Sequence, residues 1–411
     1  MHSSPSMDRR QWLTTASLTG ASVTGLLALA GCKQQVAPQA SVVAPPPTEA
    51  PFDQLLQFEG KVPMRAINDR PPCLETPWQY FQTDITPNNA FYVRWHLQTI
   101  PTLSEKTWKL KVSGLVEQPL ELSLEELKQM PASRVIAVNQ CSGNSRGLFQ
   151  PRITGAQWYN GAMGNAQWTG VKLRDVLQKA GIKPGGVEVT FAGLDKGGHD
   201  SIPDYVKSMP LAEALQDQVL LAYAMNDETL PVLNGFPLRL VVPGWYATYW
   251  VKCIGEITVL DKRYEGYWMQ KAYRIPKPGL EDKPGDLAKE TIPIHKMVVR
   301  SFFVLPEQNS SVSAGKPVQL EGFAFDGGSG IRLVEVSDDA GKTWKPAELG
   351  PDLGNYSFRR WKLAWSPPRA GEFTLQVRAT TNSGETQPTE AGWNRAGYLR
   401  NVQEQWKLQV T

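Results

Sequence analysis

Between residues 277 and 289 the chain crosses a stretch crowded with Pro, Gly and charge, and the hydrophobic pattern differs in kind on its two sides. Upstream, apolar runs at 135–138, 187–191, 219–224, 238–242 and 254–260 have the length and β-branched content of strands. They alternate irregularly with helical spacing at 124–130 and 171–180. Ser123 with Glu126 three residues on forms a capping box, and Gly181 closes the second helix as a C-cap. Strands and helices mixed without regular βαβ spacing predict an α+β domain over 52–285. Downstream, helical periodicity is nearly absent. Runs at 318–325, 331–337, 358–365, 373–379 and 406–410 are separated by turn sequences such as Asp326-Gly327-Gly328 and Pro367-Pro368. That pattern predicts an all-β, immunoglobulin-like sandwich over 286–411, without the Cys…Trp…Cys spacing of antibody domains.

Composition removes several function classes. Lys and Arg total 43 against 40 Asp and Glu, a net charge of +3, too small for nonspecific nucleic-acid binding. Four cysteines and four histidines include no CxxC, CxxCH or HExxH spacing, which disfavours zinc ribbons, covalent c-type haem and thermolysin-like zinc sites. No GxGxxG or GxxxxGK[ST] run occurs. Any metal must be held by very few protein ligands.

The first residues read as an address. Arg9-Arg10-Gln11-Trp12-Leu13 precedes an uncharged Ala-, Thr-, Gly- and Leu-rich run, which resembles a twin-arginine export signal over 1–32 and implies a periplasmic protein exported already folded. A transmembrane anchor is the competing reading, weakened by the Gly, Ser and Thr content. Leu29-Ala30-Gly31-Cys32 resembles a lipobox, so lipidation of Cys32 would tie the exported protein to a membrane. Residues 33–51, with Pro45-Pro46-Pro47, form an extended tether.

The strongest chemical feature is Asn139-Gln140-Cys141-Ser142-Gly143-Asn144-Ser145-Arg146-Gly147, directly after a β-branched run. Such a loop can present a thiolate beside backbone N–H groups and a cation, or merely place a small cysteine in a core. The same loop, then Gly161-Ala162-Met163-Gly164-Asn165-Ala166-Gln167-Trp168, then Gly235-Phe236-Pro237-Leu238-Arg239-Leu240-Val241-Val242-Pro243-Gly244, resemble the sulfite oxidase family of molybdenum enzymes. Phe91-Tyr92-Val93-Arg94-Trp95-His96 upstream and Trp250-Val251-Lys252 downstream match the same pattern in the same order. The resemblance implies a molybdenum–molybdopterin cofactor in which the pterin supplies two sulfurs and the protein one, Cys141.

Further roles follow from that resemblance. Arg94, Arg146 and His96 would hold a small oxyanion, Tyr273 would stand near the metal's oxo group, and Trp158 would wall the pocket. Phe91, Tyr92, Val93, Arg94, Trp95, Asp195, Asn234, Arg239, Trp250, Val251 and Lys252 would bind the pterin and its phosphate. Arg239 interrupts a Leu/Val/Pro strand and therefore demands a partner. Tyr264 and Tyr267 lie close enough in sequence to contest the role of Tyr273, and Cys73 and Cys253 read as structural.

Asn234 and Tyr249 stand where animal members have His and Arg, and Ser142 and Ser145 where they have Ala and Arg, which places the chain with bacterial sulfite dehydrogenases. In Trp393-Asn394-Arg395-Ala396-Gly397, Ala396 falls where animal enzymes keep a substrate arginine; Arg395 is assigned no role. The implied activity is sulfite oxidation to sulfate by oxygen-atom transfer, with electrons passed to a c-type cytochrome or haem subunit, and self-association through the C-terminal domain as a homodimer. Two rivals stay open: a related reductase of nitrate, a sulfoxide or methionine sulfoxide, and a cofactor-free periplasmic binding protein.

Overall fold

The computed structural model describes residues 55–411; the export signal, Cys32 and the tether lie outside the described residues. The N-terminal half is built on two five-stranded sheets. One runs Val206–Pro210, Glu188–Gly193, Ile254–Leu260, Lys109–Gly114, Leu120–Ser123, with a single parallel pairing between Ile254–Leu260 and Lys109–Gly114. The other runs Glu228–Thr229, Leu220–Met225, Met163–Lys172, Ala132–Gln140, and Arg239–Val241 also pairs with Leu220–Met225. A four-stranded sheet ends in the short strand Val93–Arg94, which pairs with Cys73–Glu75.

The helices are few and short, as an α+β reading with strand-dominated cores allows. Leu124–Lys128 carries the capping box: the Glu126 amide donates to Ser123 Oγ at 3.2 Å and the Ser123 amide to Glu126 Oε2 at 2.8 Å. The helix expected at 171–180 begins later, at Leu173–Ala180, and ends at Gly181 with φ 69°. Val171 and Lys172 belong instead to the strand Met163–Lys172, where Val171 pairs with both Ala132 and Leu221. A β-branched residue buried between two neighbouring strands gains more from the sheet than from a helical turn.

The C-terminal half is a sandwich of a four-stranded sheet (Arg300–Leu305, Val318–Phe325, Arg359–Trp365, Glu348–Leu349) and a five-stranded one (Ser311–Val312, Glu404–Val410, Gly371–Thr381, Ile331–Ser337, Lys345–Pro346). Phe303, Leu320, Trp361, Leu375 and Leu408 fill the space between them. A second aromatic set faces the other way. Phe323 and Phe358 pack on Phe81, and Phe302 on Phe323 and Trp78, so the core of the N-terminal half continues into the sandwich. Among the described residues no helix is long and apolar enough to cross a membrane.

Candidate active site

Ala132–Gln140 and Met163–Lys172 pair antiparallel along their length, and the last rung joins Gln140 to Met163. Cys141 is the next residue, its amide donating to the Ala162 carbonyl at 2.9 Å. The loop beyond is tied back at each step. The Asn144 amide donates to the Cys141 carbonyl at 3.0 Å, Asn144 Oδ1 accepts from the Ala162 amide at 3.0 Å, and the Ser145 amide donates to the Tyr159 carbonyl at 2.7 Å. Ser145 adopts φ 72°, turning the chain so that Arg146 opens the short turn Arg146–Leu148. A Cβ at Gly143 would lie 2.4 Å from Arg146 Nη2, and one at Gly397 2.7 Å from Arg146 Cγ. Only glycine leaves the slot in which this side chain lies.

A small cavity opens beside the loop. Cys141, Arg94, His96 and Tyr273 line it, as do Tyr92, Asn234, Arg239 and Lys252. Five separate chain segments thus converge on one thiol. Arg94 and His96 both reach the cavity, while Val93 and Trp95 between and beside them are buried in a small apolar cluster with Cys253. The remaining candidates stand outside the lining. Phe91 packs edge-on to Trp168, Trp250 likewise, and Trp158 is wholly buried. Val251 is core, and Asp195 is buried near Lys252, whose charge partly counters the upward push of burial on the Asp195 carboxyl. Arg146 approaches from the side of the sandwich, donating to the carbonyls of Ala396 at 2.8 Å and Ala156 at 3.1 Å, with Tyr398 5.4 Å beneath its guanidinium.

Electrostatics divide the lining into fixed cations and neutral groups. Burial lowers Lys252 to about 8, with Arg239 adding to the effect, while its Nζ donates to the Arg94 carbonyl at 2.8 Å. Burial opposes the charge on Arg94, yet Tyr273, Cys73, Cys141 and Tyr205 together more than offset it and hold its pKa above the ordinary value. His96 is driven the other way: burial, then Arg94, Lys252 and Lys207, push it well below the ordinary imidazole range, so it is neutral. Its ring stacks on Tyr205 at 4.0 Å, and its Nε2 is hydrogen-bonded to the Tyr273 hydroxyl. Burial raises the Tyr273 phenol despite Arg94, so it keeps its proton. The residue itself sits at φ 58°, a left-handed backbone rare for a non-glycine, and its ring stacks on Tyr398 at 5.7 Å.

Arg239, which the sequence required to find a partner, has no carboxylate. It donates to the carbonyls of Asn234 at 2.7 Å and Trp250 at 3.3 Å, lies 4.9 Å over Trp168, and leaves Nε without a partner; burial lowers its pKa to about 10. Asn139 Nδ2 and Ser142 Oγ, flanking the cysteine, are also buried without partners. Among the described residues no three His, Cys, Asp or Glu side chains gather as a metal site. One thiol, partnerless polar atoms and unpaired cations fit a group that brings most of its own metal ligands together with a polar rim and an anionic tail.

Several participants were not singled out in the sequence. Asn139 accepts from the Tyr92 hydroxyl at 2.6 Å and stands two residues before Cys141, so proximity to the loop could have flagged it. Lys61, buried and lowered to about 7, holds the carbonyls of Asn88 and Phe91 and the Asn234 side chain at 2.6 to 3.0 Å. Nothing in its local sequence signals that role. Arg395 is committed elsewhere, its guanidinium paired with Asp282 at 2.6 Å, while Ala396 contributes only its carbonyl. Tyr264 and Tyr267 do not line the cavity.

Residues 96–268 match the oxidoreductase molybdopterin binding domain, and residues 291–411 match the Mo-co oxidoreductase dimerisation domain. The mitochondrial sulfite oxidase of Rattus norvegicus is 33% identical over 384 residues, covering 89% of this chain and 69% of the rat protein. The sulfite oxidase of Arabidopsis thaliana is 31% identical, covering 85% of this chain and 93% of the plant protein. The sulfane dehydrogenase SoxCD of Paracoccus pantotrophus superposes with a TM-score of 0.69 at 26% identity, over 88% of this chain and 85% of its own. The chain belongs to the sulfite oxidase family and is a molybdopterin-dependent oxidoreductase.

Proposed function

We propose that the protein oxidises sulfite to sulfate in the periplasm and passes the electrons to a separate c-type cytochrome. The observation that carries this reading is the meeting of the Cys141 thiol, the Arg94 and Lys252 cations and the neutral His96–Tyr273 pair in one cavity. When bound, the molybdenum–pterin group supplies the oxygen atom and takes up two electrons. Cys141 would be its protein sulfur ligand, and Asn234, Arg239 and Lys252 would hold the pterin side.

Arg94 binds and orients the anionic substrate, since a guanidinium stays charged and offers a fork that matches oxyanion geometry. Arg146, tethered by two carbonyls, adds positive potential from the sandwich side. With the Nε2–H tautomer of neutral His96 donating to the Tyr273 oxygen, the phenol keeps its own proton to donate to substrate oxygen. Tyr205, stacked on the imidazole, holds the ring plane in place.

Export by the twin-arginine route, lipidation at Cys32 and homodimer formation through the C-terminal sandwich accompany this reading. The decisive experiment is molybdenum content together with sulfite:cytochrome c activity of wild type and Cys141→Ser. About one molybdenum per chain and sulfite-dependent reduction of cytochrome in wild type support it. Metal without sulfite turnover overturns the substrate in favour of a reductase or of a sulfane substrate, the latter favoured by the likeness to a sulfane dehydrogenase.

A further inference from the structure

Arg300 opens the strand Arg300–Leu305 of the sandwich, and at 1% exposure it is a buried cation to which the chemistry above gives no task. Its Nη2 pairs with Glu404 at 2.7 Å and donates also to Ser145 Oγ at 3.0 Å and to Asn160 Oδ1 at 3.4 Å, while Nη1 reaches Gln140 Oε1 at 3.4 Å. The same Glu404 oxygen also accepts from Arg400 Nη1 at 2.9 Å. The acceptors on the N-terminal half are not arbitrary. Gln140 is the residue before Cys141, and Ser145, in its left-handed conformation, is the residue before Arg146.

A buried ion pair needs only its two partners and good local hydrogen bonds to persist. Here the fork, fixed by a carboxylate that is itself clamped, spans both ends of the loop that carries the thiol. A planar guanidinium can do this with two rigid edges, and an ammonium cannot. We propose that Arg300 is a positioning residue through which the sandwich sets the geometry of the 141–146 loop, fixing both the Cys141 sulfur and the entry of Arg146 to the site. The proposal rests on Cys141 being the sulfur ligand.

The test compares wild type, Ser145→Ala and Arg300→Lys as full-length loaded enzymes. Ser145→Ala removes the loop's side of the contact, together with the bond that Ser145 Oγ donates to Asn160 Oδ1, and leaves the Arg300–Glu404 pair; Arg300→Lys keeps the charge and leaves the Ser145–Asn160 bond, but cannot span both acceptors. Both should raise amide hydrogen exchange of residues 141–146 by about tenfold, the loss of roughly one charge-assisted hydrogen bond, with the strands Ala132–Gln140 and Met163–Lys172 unchanged. Both should also shift the thiolate-to-metal absorption and raise KM for sulfite more than they lower kcat. Unchanged loop exchange in both variants overturns the proposal, as does a uniform rise across the whole sandwich, which would mark a purely structural role. If Arg300→Lys does not fold, Ser145→Ala alone decides. Retention of the absorption band in Cys141→Ser would refute the ligand assignment instead, and leaves the exchange result independently readable.

Discussion

Replacing Arg239 with Met separates what this residue does for the fold from what it does for the cofactor. In the protein alone, the guanidinium's pKa held down at about 10 corresponds to roughly 3 kcal/mol of burial cost, which Met removes. Met also forfeits two hydrogen bonds from a charged donor, at Asn234 and Trp250, worth about 1.5–3 kcal/mol each, and an aromatic contact worth ~1 kcal/mol. The opposing contributions leave a net loss of about 2 kcal/mol, a lowering of Tm by only a few degrees for a chain of this size. Against an anionic cofactor tail the balance differs, because a charge-assisted bond worth about 3 kcal/mol disappears with nothing offsetting it, and retention should weaken by roughly a hundredfold. Thermal melts of loaded and cofactor-free protein, with molybdenum measured after exhaustive dialysis, read both quantities. The variant should melt near wild type when empty and lose most of the stabilisation that loading confers. Wild-type metal content after dialysis, with an unchanged gap between loaded and empty melts, would refute the assignment.

Other outcomes follow from the structure. Cys141→Ser should abolish sulfite-dependent cytochrome reduction while circular dichroism and Tm stay near wild type; retained turnover would move the chemistry away from this sulfur. Tyr273→Phe, which deletes only the hydroxyl bonded to His96, should lower kcat by about ten- to a hundredfold with a smaller change in KM, measured by steady-state kinetics. Because burial and the cations at Arg94, Lys252 and Lys207 hold His96 far below its ordinary value, wild-type kcat should show no imidazole ionisation between about pH 5.5 and 8. Arg94→Gln removes one of those cations and should bring an acid limb into the profile from below. Asp282, held under the usual carboxylate range first by its hydrogen bonds to Arg395, stabilises the fold above about pH 4 and loses that contribution as pH falls through its folded value. Asp282→Asn should therefore cost about 1 kcal/mol in urea titrations at pH 7, and the cost should shrink as pH is lowered through the folded value.

The sequence showed the cysteine loop, the apolar strand around Arg239 and the alternation of Arg94 with His96 because each is a local pattern, and local patterns survive in one dimension. The start of the second helix was misplaced by two residues because pairing of Val171 on both sides outweighs its helical spacing. Lys61 was invisible for a related reason: its acceptors come from residues 88, 91 and 234, and no spacing rule connects them. Arg395 illustrates the opposite limit. Its position beside Ala396 made it eligible for the site, and only the Asp282 carboxylate, more than a hundred residues away in the chain, shows that its charge is already spent.

The hairpin arms carry a mechanical implication. Since Cys141 is the first residue past the final rung, with its own amide still bonded across to Ala162, the sulfur is anchored at the root of the loop rather than at its tip. Bending of residues farther out moves them on a lever whose fulcrum lies beside the sulfur. A contact made farther out, such as that of Arg300 with Ser145, acts on the sulfur through this lever, and a loop of different length grafted there would have to reproduce that contact to keep the thiol in register.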